Sequence, residues 1–538
     1  MRNMNRLTPF ARVAIFIVII GCVGAVLYFT GMFSRSPEEG DSNEPERQQT
    51  EGHPNDTESN NTSTSTNVPS VTQTVDTIRI SLDEWVGWKP LLDAAGGLTT
   101  QPGSIYDRLG LNVEFVIIND ADHSSSALIS GSIHGAGYTI NRYAFLYQQF
   151  IENGLNPAYI FTLYTSSGGD GVIASTNFTN IEALHGARIG VPRFSEAMAL
   201  MDWLINQTSL TDQEKENMKN NMVMFDTPDD AARAFFAGRL DAAATWQPYL
   251  SQAQETANTH LLFSTTHATN LIVGGLIFDY DFIEANEGAL VKLAQGMIEA
   301  YDMYLTDMGS IRTAMPMFSL ESDASIIEMA QDATLFSARN MIDHMQGTAQ
   351  MLFADMADVW AARGERAGRE DADAAFTDRI VNRLDRDTGA GESTLVEHVF
   401  TEEIREVAKE AIRESRDTSA LFTMRADIRF EPNTAVILEE SYPEMDRFFS
   451  SAMLLDGAII LVEGNIANVQ GHAESTAAGL QLSEERARAV ARYLQLRGVD
   501  SNRFIIVGNG IDRQIASNDT EEGRMMNRRT DVSFMIVE

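Results

Sequence analysis

Residues 13–33 (VAIFIVIIGCVGAVLYFTGMF) carry no charge, and this run constrains the chain more than any other feature. At ~1.5 Å per residue, a helix of that length crosses the ~30 Å hydrocarbon layer of a bilayer. Arg2, Arg6 and Arg12 precede the run, and a polar, acidic stretch follows Arg35. Positive flanks stay inside, which keeps residues 1–12 in the cytoplasm and sends the rest across. The expectation is a single-pass anchor in the inner (cytoplasmic) membrane with the C-terminal bulk in the periplasm. Two alternatives stand beside it. Ile19-Ile20-Gly21-Cys22 has the pattern of a lipobox, and a cleaved signal is the third reading, although no A-x-A-like site follows. No carboxylate lies within 13–33, so the helix reads as an anchor and not as an ion path.

Residues 34–76 hold Ser, Thr, Asn, Glu and Pro with almost no large apolar side chains. This composition predicts a disordered tether with a reach of roughly 35–40 Å. The 538-residue chain is too long for one ordinary core, so two or three folded units are expected. A net charge of -36 repels phosphate backbones and excludes nucleic acid as a partner. Cys22 is the sole cysteine, which rules out an intrachain disulfide and a cysteine zinc site. The nine histidines show no H-E-x-x-H spacing, and neither a G-x-S-x-G elbow nor a P-loop occurs. No catalytic residue, metal ligand or cofactor is therefore expected, and the chain reads as a non-enzyme.

From 77 to 390 short apolar runs alternate with helical patterns. Strands are predicted at 77–82, 112–118, 158–164, 187–192 and 272–278, and helices at 195–207, 228–237 and 287–305. The alternation predicts an α/β domain with mainly parallel sheets. Residues 391–420 form a helical connector, with 399–415 read as a spacer helix, and the last unit spans 421–538.

Five segments of the middle domain, in order, carry a resemblance. They are Ser81 to Pro90 (with Asp83-Glu84-Trp85-Val86-Gly87-Trp88), Ala127 to His134, Gly169 to Ala174, Ile181 to Val191, and Ala234 to Pro248 with Gly238-Arg239-Leu240-Asp241-Ala242. The domain resembles the periplasmic substrate-binding proteins of ABC importers, in the branch for sulfonates, nitrate and thiamine precursors. The resemblance implies two α/β lobes around a hinge, a small-molecule solute in the cleft, and an ABC permease as partner. Ligand groups in such clefts meet strand C-termini and helix N-termini. The candidates are Trp85 and Trp88 for stacking, Tyr138 and Thr139, Ser167 and Asp170 of a Gly-rich loop, Ser195 at a helix start, and Asp241 and Trp246 on the second lobe. Plain packing for Trp85, an N-cap for Ser195 and a turn for Asp241 remain open alternatives. Arg193 is the one arginine placed to clamp an anion, so a cation, an amine or a neutral heterocycle suits the acidic chain as well as an oxyanion does.

Residues 421–538 resemble an OmpA-like domain of α+β fold. The resemblance rests on Ile428 to Asn433, Ala458 to Gly464, the helix Leu482-Ser483-Glu484-Glu485-Arg486-Ala487, and Gly523-Arg524 through Asn527-Arg528-Arg529 to the last strand. It implies peptidoglycan as partner, with an aspartate taking the amine of a diaminopimelate group and an arginine its carboxylate. Arg486 is that arginine. Ala467 stands where the aspartate is expected, and Gly479 replaces the usual asparagine. Glu474, in a shifted alignment, is the substitute acid, and Asn468 and Arg528 complete the candidate set. The expected fold class is thus multidomain α/β: one transmembrane helix, a two-lobed periplasmic-binding-protein-like domain and the OmpA-like domain. The expected function is a membrane-tethered extracytoplasmic solute-binding protein associated with the cell wall. The alternative is a structural scaffold linking inner membrane and peptidoglycan.

Overall fold

In β1 (Ile78–Leu82) the alternating Ile78, Ile80 and Leu82 enter the core. β1 runs parallel to β2 (Val113–Ile117), with Ile80 opposite Phe115. The computed structural model describes residues 74–365, 368–384, 398–415, 420–426, 428–468 and 477–537, all within the unit Asn67–Glu538. The run 13–33, the tether up to residue 73, and Glu474 lie outside the described residues. Among the described residues no helix is long and apolar enough to cross a membrane.

The chain continues through β3 (Gly135–Thr139), β4 (Pro157–Ser166), β5 (Asp170–Ser175), β6 (Ile189–Pro192), β7 (Val223–Phe225), β8 (Ala242–Trp246), β9 (Thr259–Ser264), β10 (Val273–Asp279) and β11 (Ala333–Leu335). These strands sort into two sheets, ordered β11-β4-β10-β3-β1-β2 and β7-β6-β8-β5-β9. Both sheets are mixed, where mainly parallel ones were expected. β10 is antiparallel to β3 and β4, and β5 is antiparallel to β8 and β9. The antiparallel strands lie at the exchanges between the sheets: β5 is the strand by which the chain enters the second sheet, and β10 the one by which it returns to the first. The helices form at Glu196–Gln207, Pro228–Phe236 and Tyr280–Glu299. The last begins seven residues earlier than predicted, because Asp279 accepts from the Asp281 N–H and caps it.

Two crossings join the lobes, β4 to β5 through Ser167–Gly169 and β9 to β10 through residues 265–272. Thr265 ties them together. Its hydroxyl lies 2.9 Å from Ser166 Oγ and 3.0 Å from the Gly168 N–H, which donates to it. A third link comes later in the chain: Arg363, just after the helix Ala349–Ala361 of the first lobe, forks onto buried Asp202 of Glu196–Gln207 at 2.6 and 2.7 Å.

The third sheet holds β12 (Phe422–Ala426), β13 (Ile459–Gly464), β14 (Phe504–Gly508) and β15 (Thr530–Met535) in the order β12-β15-β13-β14. β13 is buried throughout because both its faces are covered. Ile460 and Val462 join the large core, whereas Ile459 and Leu461 pack with Ala408 and Ile412 of the helix Glu402–Ser415. The segment expected as a spacer thus forms part of the C-terminal core, since its apolar stripe has a sheet face to cover.

The C-terminal domain also packs on both lobes and on a crossing. Thr423 N–H donates to Glu182 Oε1 at 2.8 Å on the second lobe, and Ser450 Oγ to Asp355 Oδ2 at 2.7 Å on the first. Asp456 accepts from Thr269 N (2.8 Å) and Thr269 Oγ1 (2.5 Å) in the crossing segment 265–272. Gly457 N–H donates to His267 O at 3.0 Å, and a Cβ at Gly457 would stand 2.8 Å from His267 Cα.

Candidate functional site

Asp83, Glu84 and Trp85 follow β1 where it reaches the gap between the lobes. Trp88, fully buried one turn on, donates its indole N–H to Asp83 Oδ1 at 2.5 Å and sets that carboxylate's direction. Tyr164 of β4 lies edge-on to Trp88 at 5.0 Å and reaches the gap only because β10 has Gly274 there: a Cβ at Gly274 would fall 2.2 Å from the Tyr164 ring. Thr139 ends β3 and caps the helix Ile140–Glu152. On the second lobe, β5 opens with Asp170, Trp246 closes β8, and Glu196 opens its helix.

These residues enclose a cleft of ≈ 270 Å³ between the lobes. The first lobe contributes Asp83, Glu84, Trp85, Asn119 and Thr139, and the second Glu196 and Trp246. Tyr164, Ser166, Asp170 and Ile272 line it at the crossings, and Met317 at the rim. Contacts already span it. Thr139 Oγ1 donates to Glu196 Oε1 at 3.0 Å, and Arg142 holds Glu196 at 3.3 and 3.1 Å through Nε and Nη2.

The lining is acidic. Asp83 meets solvent through the cleft mouth, yet protein encloses it on its other sides, and that loss of hydration pushes its carboxyl up to about 6. Asp170 is pushed up to about 7 by burial, with Glu196 and Asp332 adding repulsion against a Ser166 hydrogen bond. Burial alone would raise Glu196, but the Arg142 guanidinium outweighs it and holds that carboxyl below its usual range. Glu84 is occupied by neighbours, accepting from Met317 N and Asn119 Nδ2, both at 2.7 Å.

Of the nine residues expected in the cleft, the structure brings together Trp85, Thr139, Asp170 and Trp246. Trp88 supports the floor from beneath. Tyr138 points to the opposite side of the sheet, where its hydroxyl meets Ser124 Oγ at 2.7 Å, because neighbours along a strand face opposite ways. Ser167 turns away to Thr334 Oγ1 at 2.8 Å. Ser195 accepts from Met198 N at 3.2 Å and donates to Pro192 O at 2.8 Å, which is an N-cap's work. Asp241 precedes β8, at the end opposite Trp246, and is forked by Arg188 at 3.0 Å. Asp83, Glu84, Tyr164, Arg142 and Glu196 were not singled out as ligand groups. Adjacency to Trp85 and to Ser195 was the available signal for three of them.

The second candidate site lies on the C-terminal domain. Asn433 takes a left-handed φ of 57°, which a short polar side chain tolerates. The turn presents Thr434 O to Arg486 Nε at 3.0 Å, while the guanidinium sits 4.8 Å over Phe430. Burial and the nearby Arg528 lower Arg486 from its usual range. Among the described residues no carboxylate pairs with Arg486. Arg528 is committed to Glu521 at 2.5 Å. Ala467 sits in the loop after β13, and Asn468 N–H donates to Asn518 Oδ1 at 3.1 Å. Next to this loop Asn465 is buried and structural, bonding Asp531 at 3.2 Å and Asn509 at 3.1 Å. No group of His, Cys, Asp or Glu among the described residues is arranged to hold a metal ion.

Residues 429–528 match the OmpA family. Outer membrane protein A of Bordetella avium is 30% identical over 129 residues, which is 24% of this chain and 64% of that protein. The peptidoglycan-binding protein ArfA of Mycobacterium tuberculosis is 32% identical over 105 residues, 20% of this chain and 31% of that protein. The chain therefore spans less than two thirds of the length of either relative. Among solved structures, the periplasmic aliphatic sulphonate binding protein SsuA of Escherichia coli covers 58% of this chain and 100% of its own, at 15% identity and a TM-score of 0.43. The described residues form an α/β fold of three sheets, and the match to the OmpA family covers residues 429–528 of the chain.

Proposed function

We propose that this chain is a membrane-tethered extracytoplasmic receptor that captures a small solute between its two lobes and docks on peptidoglycan through residues 421–538. Residues 13–33 anchor it in the inner membrane, 34–76 tether it, 77–390 bind, and 391–420 connect. The observation that carries the reading is the cleft itself. It lies between two lobes joined by two crossings, and side chains of both lobes line it. Such a cleft closes on a ligand by hinge motion, and an ABC permease is the partner that would receive the solute. Arg486 has no carboxylate partner among the described residues, and this supports wall association, since a planar guanidinium suits a carboxylate. The relatives noted above support the same role.

One observation favours the scaffold reading. The C-terminal domain grips both lobes and the crossing at Thr269, and such a clamp resists hinge motion. Sedimentation of the full chain with purified peptidoglycan tests the wall role: wild type should pellet and Arg486→Ala should stay in solution. A rise in melting temperature with any solute in a metabolite panel separates receptor from scaffold.

A further inference from the structure

We propose that the solute is a small organic cation, an ammonium compound, seated between Asp83 and Asp170 and faced by the aromatic rings of the cleft. The inference rests on the receptor reading and specifies its ligand class.

The argument begins with what the cleft lacks. An oxyanion needs a guanidinium, an ammonium or a helix N-terminus that is free to receive it. Among the described residues no Lys or Arg lines the cavity. Arg142 stands just behind it, and both its Nε and its Nη2 are turned onto Glu196. The helix Glu196–Gln207 does open at the cleft, where an anion would be received. Ser195 already caps it, and the Glu196 carboxylate lines the cavity in front of it. An incoming sulfonate would meet negative charge at each of these points.

What the cleft offers is the complement. Asp83 and Asp170 form no ion pair among the described residues, and both line the cavity, one from each side of the hinge. An unpaired carboxylate in a partly dry pocket is costly unless a cation joins it. Trp85, Tyr164 and Trp246 line the same space, and the faces of such rings attract a positive centre. The indole N–H of Trp246 donates to Asp229 at 3.1 Å, which fixes the ring. The volume of ≈ 270 Å³ is at the small end for ligand pockets, so the ligand is small.

Calorimetric titration of the full chain in detergent provides the test, with tetramethylammonium, 1,4-diaminobutane, methanesulfonate and a neutral pyrimidine as probes. At least one ammonium probe is expected to bind, and methanesulfonate is not. Asp170→Asn and Asp83→Asn should each weaken the ammonium probe at least about tenfold, with unchanged circular dichroism showing that the fold persists. Binding of methanesulfonate or of the pyrimidine, with no ammonium bound, overturns the ligand class and leaves the receptor standing. Ammonium binding that ignores both substitutions overturns the seat between Asp83 and Asp170. Silence from every probe overturns the cation proposal and counts against the receptor itself.

Discussion

The cleft and the Arg486 face are opposites in charge arrangement. In the cleft the base, Arg142, is neutralised by Glu196, and the acids Asp83 and Asp170 are left over. On the C-terminal domain Ala467 stands at the acid's position, and among the described residues Arg486 is left over. In both places the proposed recognition follows from the charge that has no ion-pair partner among the described residues, and not from the total. A chain of net charge -36 thus carries one surface suited to cations and another suited to carboxylates.

The largest expected effect separates a leftover arginine from a committed one in the same domain. Arg503 is buried and donates to the carbonyls of Ala452, Leu455 and Ala458 at 2.6, 2.5 and 2.8 Å, closing the end of the helix Tyr442–Leu454. Arg503→Met removes the guanidinium from all three buried carbonyls, of which Leu455 O keeps the Ala458 N–H, and should cost about 3 kcal/mol in urea unfolding. Arg486→Met loses one carbonyl contact and a ring contact, and should cost no more than about 1 kcal/mol. Equal losses would show that Arg486 is a structural residue like Arg503.

Next in size is Arg142→Gln, which breaks the neutral pair in the cleft. Glu196 then joins the leftover acids. The protein should lose about 2 kcal/mol of stability, because a part-buried carboxylate is stranded. Binding of an ammonium probe should tighten severalfold, whereas a weaker ammonium complex would mean that Arg142 shapes the seat.

A smaller effect follows from pH. Asp170 is raised from 3.8 to about 7 by burial, with Glu196 and Asp332 repelling it and Ser166 favouring its charge. A carboxyl raised by folding favours the native state fully below its unfolded value, and this contribution is lost as pH climbs through the folded value. For the ligand-free protein the loss therefore falls between about pH 4 and pH 7. Asp170→Asn should exceed wild type by about 1–2 kcal/mol at pH 8, allowing for solvent in the open cleft, and the two should converge near pH 4. Thermal melts across that range check it, and a constant gap would remove Asp170 from the titration.

The balance between these regions was only partly legible in the chain. The strand runs were legible because β1 buries Ile78, Ile80 and Leu82 in alternation and β4 is buried over its whole length, and Trp85 and Trp246 were legible as large rings near strand ends. Tyr138 was misplaced because the side a strand residue faces depends on register against β1 and β10, which no local pattern states, and Ser167 because it lies in a crossing, where its hydroxyl turns to Thr334. Glu196 was passed over beside its cap, Ser195. Its partner Arg142 stands 54 residues away, on the other lobe. The helix Glu402–Ser415 reads as amphipathic from its own sequence, but the sheet face it covers is made of Ile459, Leu461, Ile505 and Met535.

The smallest expected effect bears on the other side of the comparison. If the Arg486 face differs from a full zwitterion site only in the missing acid, Ala467→Asp should supply it. The position is half-buried in the loop after β13, so a carboxylate there keeps contact with water and its pairing is screened. The gain should be about 0.5–1 kcal/mol, a two- to fivefold rise in affinity for peptidoglycan by sedimentation. The gain should vanish when Arg486→Ala is added, because both ends of one ligand must be held together. A gain that survives the second substitution would place the wall contact elsewhere on the domain. No gain, with the single Arg486→Ala still abolishing binding, would mean that Arg486 works as a lone carboxylate clamp and that the alanine is part of the site's selectivity.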